Sequence, residues 1–392
     1  HLAVYKKVVQ NRFVPQYKGV KTKESRAGQL YSDILDTFTR KQHLDTVQVL
    51  LCLFLAAFGK PHPANATVKS PAALSRFFNH YDWSTTSVIR VMRSHALKQL
   101  RSFRKACKGR PPRIELIVDL TSLGKEGKFV DLGDWMHTLN SVHGVHLVVL
   151  YICCGDLRLP WSFLIWRGKG QPSPTQLALK LLKGLQAEVR NSSKTIHLLA
   201  DGGFSSKDFI KGVIALKFAG FIGMRGDRKT TRGQKLREIT TSGRKIQLHD
   251  LPGVDLWVSW VWLPAKKGDT QEQRFIVSTV PRTGRVIQGT GRRRWKIEAL
   301  FKTLKSRFGL GKFGQHSKLG VLRYLCLSLL SFLLCHFEWL DRPNTGDPMW
   351  PSWGALAQQV RWKLFGWVRL IELFSEIDKI YAVQEALLRL DI

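Results

Sequence analysis

The sequence predicts an α/β protein: a mixed sheet flanked by helices, interrupted by a β-rich insertion and bounded by helical regions at both ends. Three observations carry this. Ile114–Leu120 (IELIVDL), Ser141–Cys153, Leu159–Trp166, Thr195–Ala200 (TIHLLA) and Gly220–Met224 have the length and apolar content of buried strands. Helical stretches fall between the later ones, giving the order β-β-β-α-β-α-β. The segments before Phe103 and after Leu319 show helical periodicity instead.

Length and charge bound the rest. The 392 residues suffice for two or three domains with a real core. Lys and Arg number 62 against 29 Asp and Glu, a formal charge of +33. Such an excess repels itself unless a polyanion is the usual partner, so nucleic acid leads and an anionic membrane surface follows. The cations run along the whole chain, which predicts a long footprint and steeply salt-dependent binding. The six cysteines form no pair of CxxC motifs, which argues against a zinc ribbon, and several lie in apolar runs. They suggest a reducing compartment without structural disulfides, and a cytoplasmic location is expected. No signal peptide is visible, and the chain opens on His1.

In order, residues 1–27 read as a basic arm and 28–108 as a helical domain. Leu44–Phe58 is strongly apolar. Ser70-Pro71 is an N-cap followed by proline, opening a short helix to about Asn79. Ser84 caps a longer helix with an apolar stripe of Ile89, Met92, Ala96, Leu100 and Phe103, and with Arg90 and Arg93 among its cations. Short helix, turn and longer basic helix fit a helix-turn-helix-like DNA reader, as they fit any helical bundle of a basic protein. Lys105–Arg113 (KACKGRPPR) marks a boundary. Residues 112–225 then hold the strands named above, with a helix at Pro174–Val189 and another at about Ser205–Phe218. This is a ribonuclease H-like layout, except that its last helix is delayed. Residues 226–288 intervene, with β-like runs at Lys245–His249, Val254–Leu263 and Arg274–Val280, the last two joined by a KKGDTQ turn. Residues 289–345 resume the core with the helical stretch Gly291–Leu310 and the apolar helix 319–340. Arg323, His336 and Glu338 make the latter a buried core helix, so no membrane is expected. Asp341–Pro351 breaks the chain, and 346–392 forms a helical C-terminal region.

The chemistry gathers on acids. Asp119 lies near the end of the first strand and Asp201 just past the fourth. Glu298 shares a helical face with Arg294 and Lys305. Taken singly, these are a strand-end residue, an Asp-Gly turn and a solvated helix with charge pairs. Together, two strand ends and a helix can converge, and three carboxylates suit two Mg²⁺ ions that activate a nucleophilic oxygen and stabilise a leaving oxygen at a phosphodiester. His137, His143 and His146 read as packing or DNA-facing residues, since His143 and His146 point to opposite faces of a strand.

IVDLTSL, LLADGGF followed by GFIGMRGD, and R-x3-E-x6-K (Arg294, Glu298, Lys305) resemble the DDE transposases of bacterial insertion sequences, of the "insertion sequence four" type. The resemblance covers about 112–340 and includes the β-rich insertion. That type's signature opens on a tyrosine, Y-x2-R-x3-E-x6-K; here the position is Gly291. The resemblance implies that Asp119, Asp201 and Glu298 bind two Mg²⁺ ions, with Mn²⁺ able to substitute. It implies that Arg294 and Lys305 contact phosphates of the element's ends, next to Arg293 and to Trp295, which is near enough to stack on DNA. An aromatic of the insertion (Trp257, Trp260 or Trp262) would hold a flipped base as a cleaved end closes into a hairpin. Arg90 and Arg93 are expected on DNA from the N-terminal helices. The implied activity is cleavage of element ends and joining of the 3′-OH to target DNA, by a homodimer assembled on double-stranded DNA. A ribonuclease H-like nuclease that only hydrolyses and a domesticated, non-catalytic DNA-binding protein remain as other readings.

Overall fold

The computed structural model describes residues 25–56, 61, 63–66, 68–127, 129–191, 193, 195–263, 272–342 and 352–390. The expected basic arm up to residue 24, the KKGDTQ turn and residues 343–351 of the expected break lie outside the described residues. The chain forms two compact units, one of residues 96–301 and one of 1–95 with 302–392. The helices before the sheet are α1 (Arg26–Leu35), α2 (Lys41–Phe54), α3 (Pro71–Asn79) and α4 (Thr85–Ala106). Then come β1 (Ile114–Gly124), β2 (His137–Leu139), β3 (Val142–Cys154), β4 (Leu157–Trp166), α5 (Pro174–Lys183), α6 (Ala187–Asn191), β5 (Ile196–Ala200), α7 (Lys207–Ala215) and β6 (Ala219–Met224). The insertion supplies β7 (Arg244–Leu248), β8 (Leu251–Leu263) and β9 (Glu272–Ser278). The chain ends with α8 (Gly284–Arg292), α9 (Lys296–Arg307), α10 (Lys318–Leu340), α11 (Trp353–Leu364) and α12 (Gly366–Leu390).

The 96–301 unit is built on one nine-stranded sheet in the order β2-β3-β1-β5-β6-β9-β8-β7, with β4 on β3. β1 runs antiparallel to β3 and parallel to β5, and β5 parallel to β6. The central strands are apolar on both faces and buried on both, as the continuous runs predict. Leu177, Ala178, Leu181 and Leu182 of α5 are buried, and α5 packs on β3 and β4. The insertion is not set apart from this core. β9 pairs antiparallel with β6, so its strands extend the same sheet and cover an edge that β6 would otherwise expose.

The helical unit centres on α10, which packs against α1, α2, α3 and α11. The N- and C-terminal helical regions, separate in the sequence reading, thus share one core. Among the described residues α10 is the one helix long and apolar enough to cross a membrane, but 83% of its most apolar window is buried in protein. Arg323, buried in it, donates to the carbonyls of Phe77 (3.2 Å), Phe78 (2.9 Å), Tyr81 (2.7 Å) and Trp83 (2.8 Å). It satisfies the open C-terminal end of α3 and stacks over Trp83. At the other end of α3, the Ser70 hydroxyl accepts from the Ala73 amide, with Pro71 in the first turn. Ser84 does the same for α4 through the Ser87 amide. The buried positions of α4 include Val88, Met92, Ala96 and Leu100, while Ile89 and Phe103 are half-buried, so the stripe begins one residue earlier than the sequence suggested.

Candidate active site

The β1–β5 register places the first two acids. The last parallel pair is Val118 with Ala200, and the next residue on each chain is Asp119 and Asp201. The two carboxylates therefore leave the ladder side by side. β1 itself continues to Gly124, because β3 still offers it partners, with Asp119 opposite Val149. Asp119 is thus mid-strand, not near the strand's end as the sequence suggested. Asp201 caps a 3₁₀ turn over Gly202–Phe204, its Oδ1 accepting from the Gly203 amide at 2.9 Å. Gly223 of β6 makes room for that turn: a Cβ there would lie 2.7 Å from the Gly202 nitrogen and 3.0 Å from the Asp201 carbonyl carbon.

The third acid arrives on a broken helix. The sequence reads as one helix from Gly291, but α8 ends at Arg292, a 3₁₀ turn covers Arg293–Trp295, and Glu298 sits in the first turn of α9. The turn sends neighbouring arginines to different partners. Arg294 Nη1 donates to Asp119 Oδ2 at 2.8 Å, and its Nη2 to Glu298 Oε1 at 2.6 Å. Arg293 instead pairs through Nε with Glu115 at 2.9 Å and donates to Thr290 Oγ1. Arg294 and Arg293, both expected near DNA, are thus each held by the protein's own acids. Lys305 is exposed near the end of α9.

Burial pushes the Asp119 carboxyl up to about 7, and the charge of Asp201 adds to it. Arg294 and the Leu120 amide, at 2.8 Å from Oδ1, oppose the rise, and Glu298 adds to it. Among the described residues no three His, Cys, Asp or Glu side chains are grouped closely enough to hold a metal ion. The three acids expected as one ligand set are linked pairwise: Asp119 lies next to Asp201 and reaches Glu298 through the Arg294 guanidinium. The donor set nonetheless suits a hard divalent cation, being all carboxylate oxygen, and such a cation would offset the burial and the Asp201 charge that raise Asp119.

Asp201, Arg294 and Glu298 line a cleft of about 740 Å³ together with Arg225, Arg237 and Trp295. Trp295 is 43% exposed there. Gly291 also lines it, and a Cβ at that position would meet Ile276 Cδ1 at 2.4 Å, so β9 occupies the space of the signature tyrosine. Of the three insertion tryptophans, Trp260 packs near Phe275 and Trp257 is half-buried, whereas Trp262 is 52% exposed. On α4, Arg90 is exposed and Arg93 half-buried. His146 is buried, bonded to Ser122 Oγ and the His137 carbonyl, as a packing residue. Sequence reasoning missed Arg237 and Arg274 as cleft residues and Glu115 as the partner of Arg293. Arg237 lay within a basic run that was visible, but nothing in the run tells which cations return to the site.

A family model described as a transposase DDE domain matches residues 110–334. No curated protein matches the chain by sequence. Among solved structures, the piggyBac transposase in a synaptic complex with hairpin DNA is similar in fold: 13% identity and a TM-score of 0.51, over 84% of this chain and 72% of that one.

Proposed function

Because the chain belongs to the transposase DDE-domain family, we propose that it is a DNA transposase of the insertion-sequence-four type, cutting the ends of a mobile element and joining them to target DNA. The observation that supports this best is the convergence of Asp119 and Asp201 at one register step with Glu298, tied in through Arg294. The 96–301 unit is its ribonuclease H-like core. Asp119, Asp201 and Glu298 would hold two Mg²⁺ ions, or Mn²⁺ in their place. Bound there, the ions would lower the pKa of an attacking hydroxyl and stabilise the leaving oxygen.

The chain's own residues do the rest. Arg294 holds Asp119 and Glu298 in position before DNA enters, and its guanidinium turns to a phosphate when the acids gain other partners. Arg237 lines the cleft beside Arg225 and Arg274, which are paired with Asp227 and Glu272, and these arginines are the cleft's cations for a phosphodiester. Trp295 and Trp262 offer exposed faces on which an unpaired base stacks. Water first cuts the strand at the element's end and frees a 3′-OH, which then attacks the opposite strand or target DNA. The fold neighbour was seen with hairpin DNA, and a hairpin end is the route carried over here. The N-terminal helices, with Arg90 and Arg93, read the ends, and a homodimer assembles on two of them in the cytoplasm, at the nucleoid.

Glu298→Gln should abolish Mg²⁺-dependent cleavage of labelled end DNA while leaving end binding intact. A variant that still cuts removes Glu298 from the site. Covalent joining of that DNA to a plasmid separates a transposase from a nuclease that only hydrolyses.

A further inference from the structure

A second cavity, of about 440 Å³, opens at the start of β1 and has no part in the reaction above. Arg110, Arg113, Glu115, His197, Arg293 and Lys296 line it. Glu115 is 4% exposed and takes both Arg293 Nε at 2.9 Å and Lys296 Nζ at 2.7 Å. Its ladder neighbour His197 receives Arg113 Nη1 on Nε2 at 2.7 Å. His197 is kept neutral, its pKa lowered to about 4 by burial and then by Arg113, Arg293 and Arg282. Its Nδ1 is buried without a protein partner. Four cations thus face one carboxylate, a net charge of 4 − 1 = +3 around a small cavity. The Arg113 guanidinium is pressed below its ordinary range by burial and by Arg110, Arg282 and Arg293. A cavity with this wall suits an oxyanion that accepts several hydrogen bonds at once.

Its position ties it to the cleft. Glu115 and Asp119 are four residues apart on the same face of β1, so the two sites are separated by roughly 13 Å. Adjacent residues of one turn serve both, Arg294 at Asp119 and Arg293 at Glu115. That distance is within the reach of about four nucleotides of one DNA strand.

We propose that the cavity of Arg110, Arg113, Arg293 and Lys296 is a second phosphate site, which seats a backbone phosphodiester of the DNA whose cut bond lies at Asp119, Asp201 and Glu298. This rests on the transposase reading. The test compares the full chain with Arg110→Gln and Arg110→Lys, since Arg110 is exposed and its replacement leaves the Glu115 and His197 contacts in place. Affinity for a mixed-sequence 30-bp duplex is measured by fluorescence anisotropy from low to high salt. Arg110→Gln should lower the slope of log affinity against log salt by about 1, making binding roughly tenfold weaker at low salt, while Arg110→Lys keeps the wild-type slope. A wild type that binds no duplex overturns both the function and the cavity. Wild-type binding with an unchanged Arg110→Gln slope overturns the cavity alone. In a parallel arm, ³¹P line broadening of inorganic phosphate is followed at constant ionic strength. If Arg110→Gln loses that broadening yet keeps its duplex slope, the cavity takes a free phosphate ion and the proposal fails.

Discussion

Gly223→Ala tests how Asp201 is positioned without touching any acid. The added Cβ would sit 2.7 Å from the Gly202 nitrogen, where ordinary contact begins near 3.4 Å, so the 3₁₀ turn must retreat by about 0.7 Å. The obstacle is backbone on both sides, which cannot swing away as a side chain does. Asp201 opens that turn and would move with it. Misplacement on the scale of 1 Å costs a catalytic group on the order of 10²-fold in rate. Overpacking at such a place costs stability about 1–3 kcal/mol. Gly220→Ala on the same strand is the control, because its Cβ would meet the Thr279 and Val213 side chains at 3.0 Å, away from Asp201. Single-turnover cleavage of end DNA under saturating Mg²⁺, beside a thermal melt of each protein, gives the comparison. Gly223→Ala should lose most of its rate at a temperature where it is fully folded, and Gly220→Ala should lose stability alone. A Gly223→Ala enzyme within threefold of wild type would refute the argument that β6 sets the Asp201 turn.

Three other perturbations act elsewhere in the molecule. Arg323→Met leaves four carbonyls without their buried donor and should cost about 3–5 kcal/mol in urea unfolding, with little change in m. Because the folded pKa of His197 is lowered to about 4, its stabilising contribution is full above the unfolded value and is lost as pH falls from about 6.5 toward 4. The loss reaches at most ~3 kcal/mol. His197→Phe should flatten that part of the stability profile, and an unchanged slope would remove His197 as its source. Gly291→Tyr, which places at this position the tyrosine of the signature the sequence resembles, should lower the melting temperature and fail to raise cleavage, because Ile276 fills the space; a gain in activity would show that β9 yields.

The sequence by itself determined the order of the main strands and the family's class of chemistry, and it marked Asp119, Asp201 and Glu298 as candidates. Those follow from local patterns: apolar runs of strand length, an Asp within or just past two of them, and an arginine, an acid and a lysine recurring at helical spacing. The cap at Ser70 was equally legible, since it depends on four consecutive residues. What the tertiary structure decided depends on partners far along the chain. β3 decides that β1 runs past Asp119. β6 decides that the insertion joins the central sheet, since an unpaired edge accepts any strand with the matching ladder, and a sequence of alternating residues does not say which edge it will meet. The turn at Arg293–Trp295 decides that one arginine faces Asp119 and its neighbour faces Glu115. A run of three arginines carries the charge but not the direction, because direction is fixed by which buried carboxylate each can reach, and Glu115 and Asp119 are set on the sheet about 180 residues earlier in the chain.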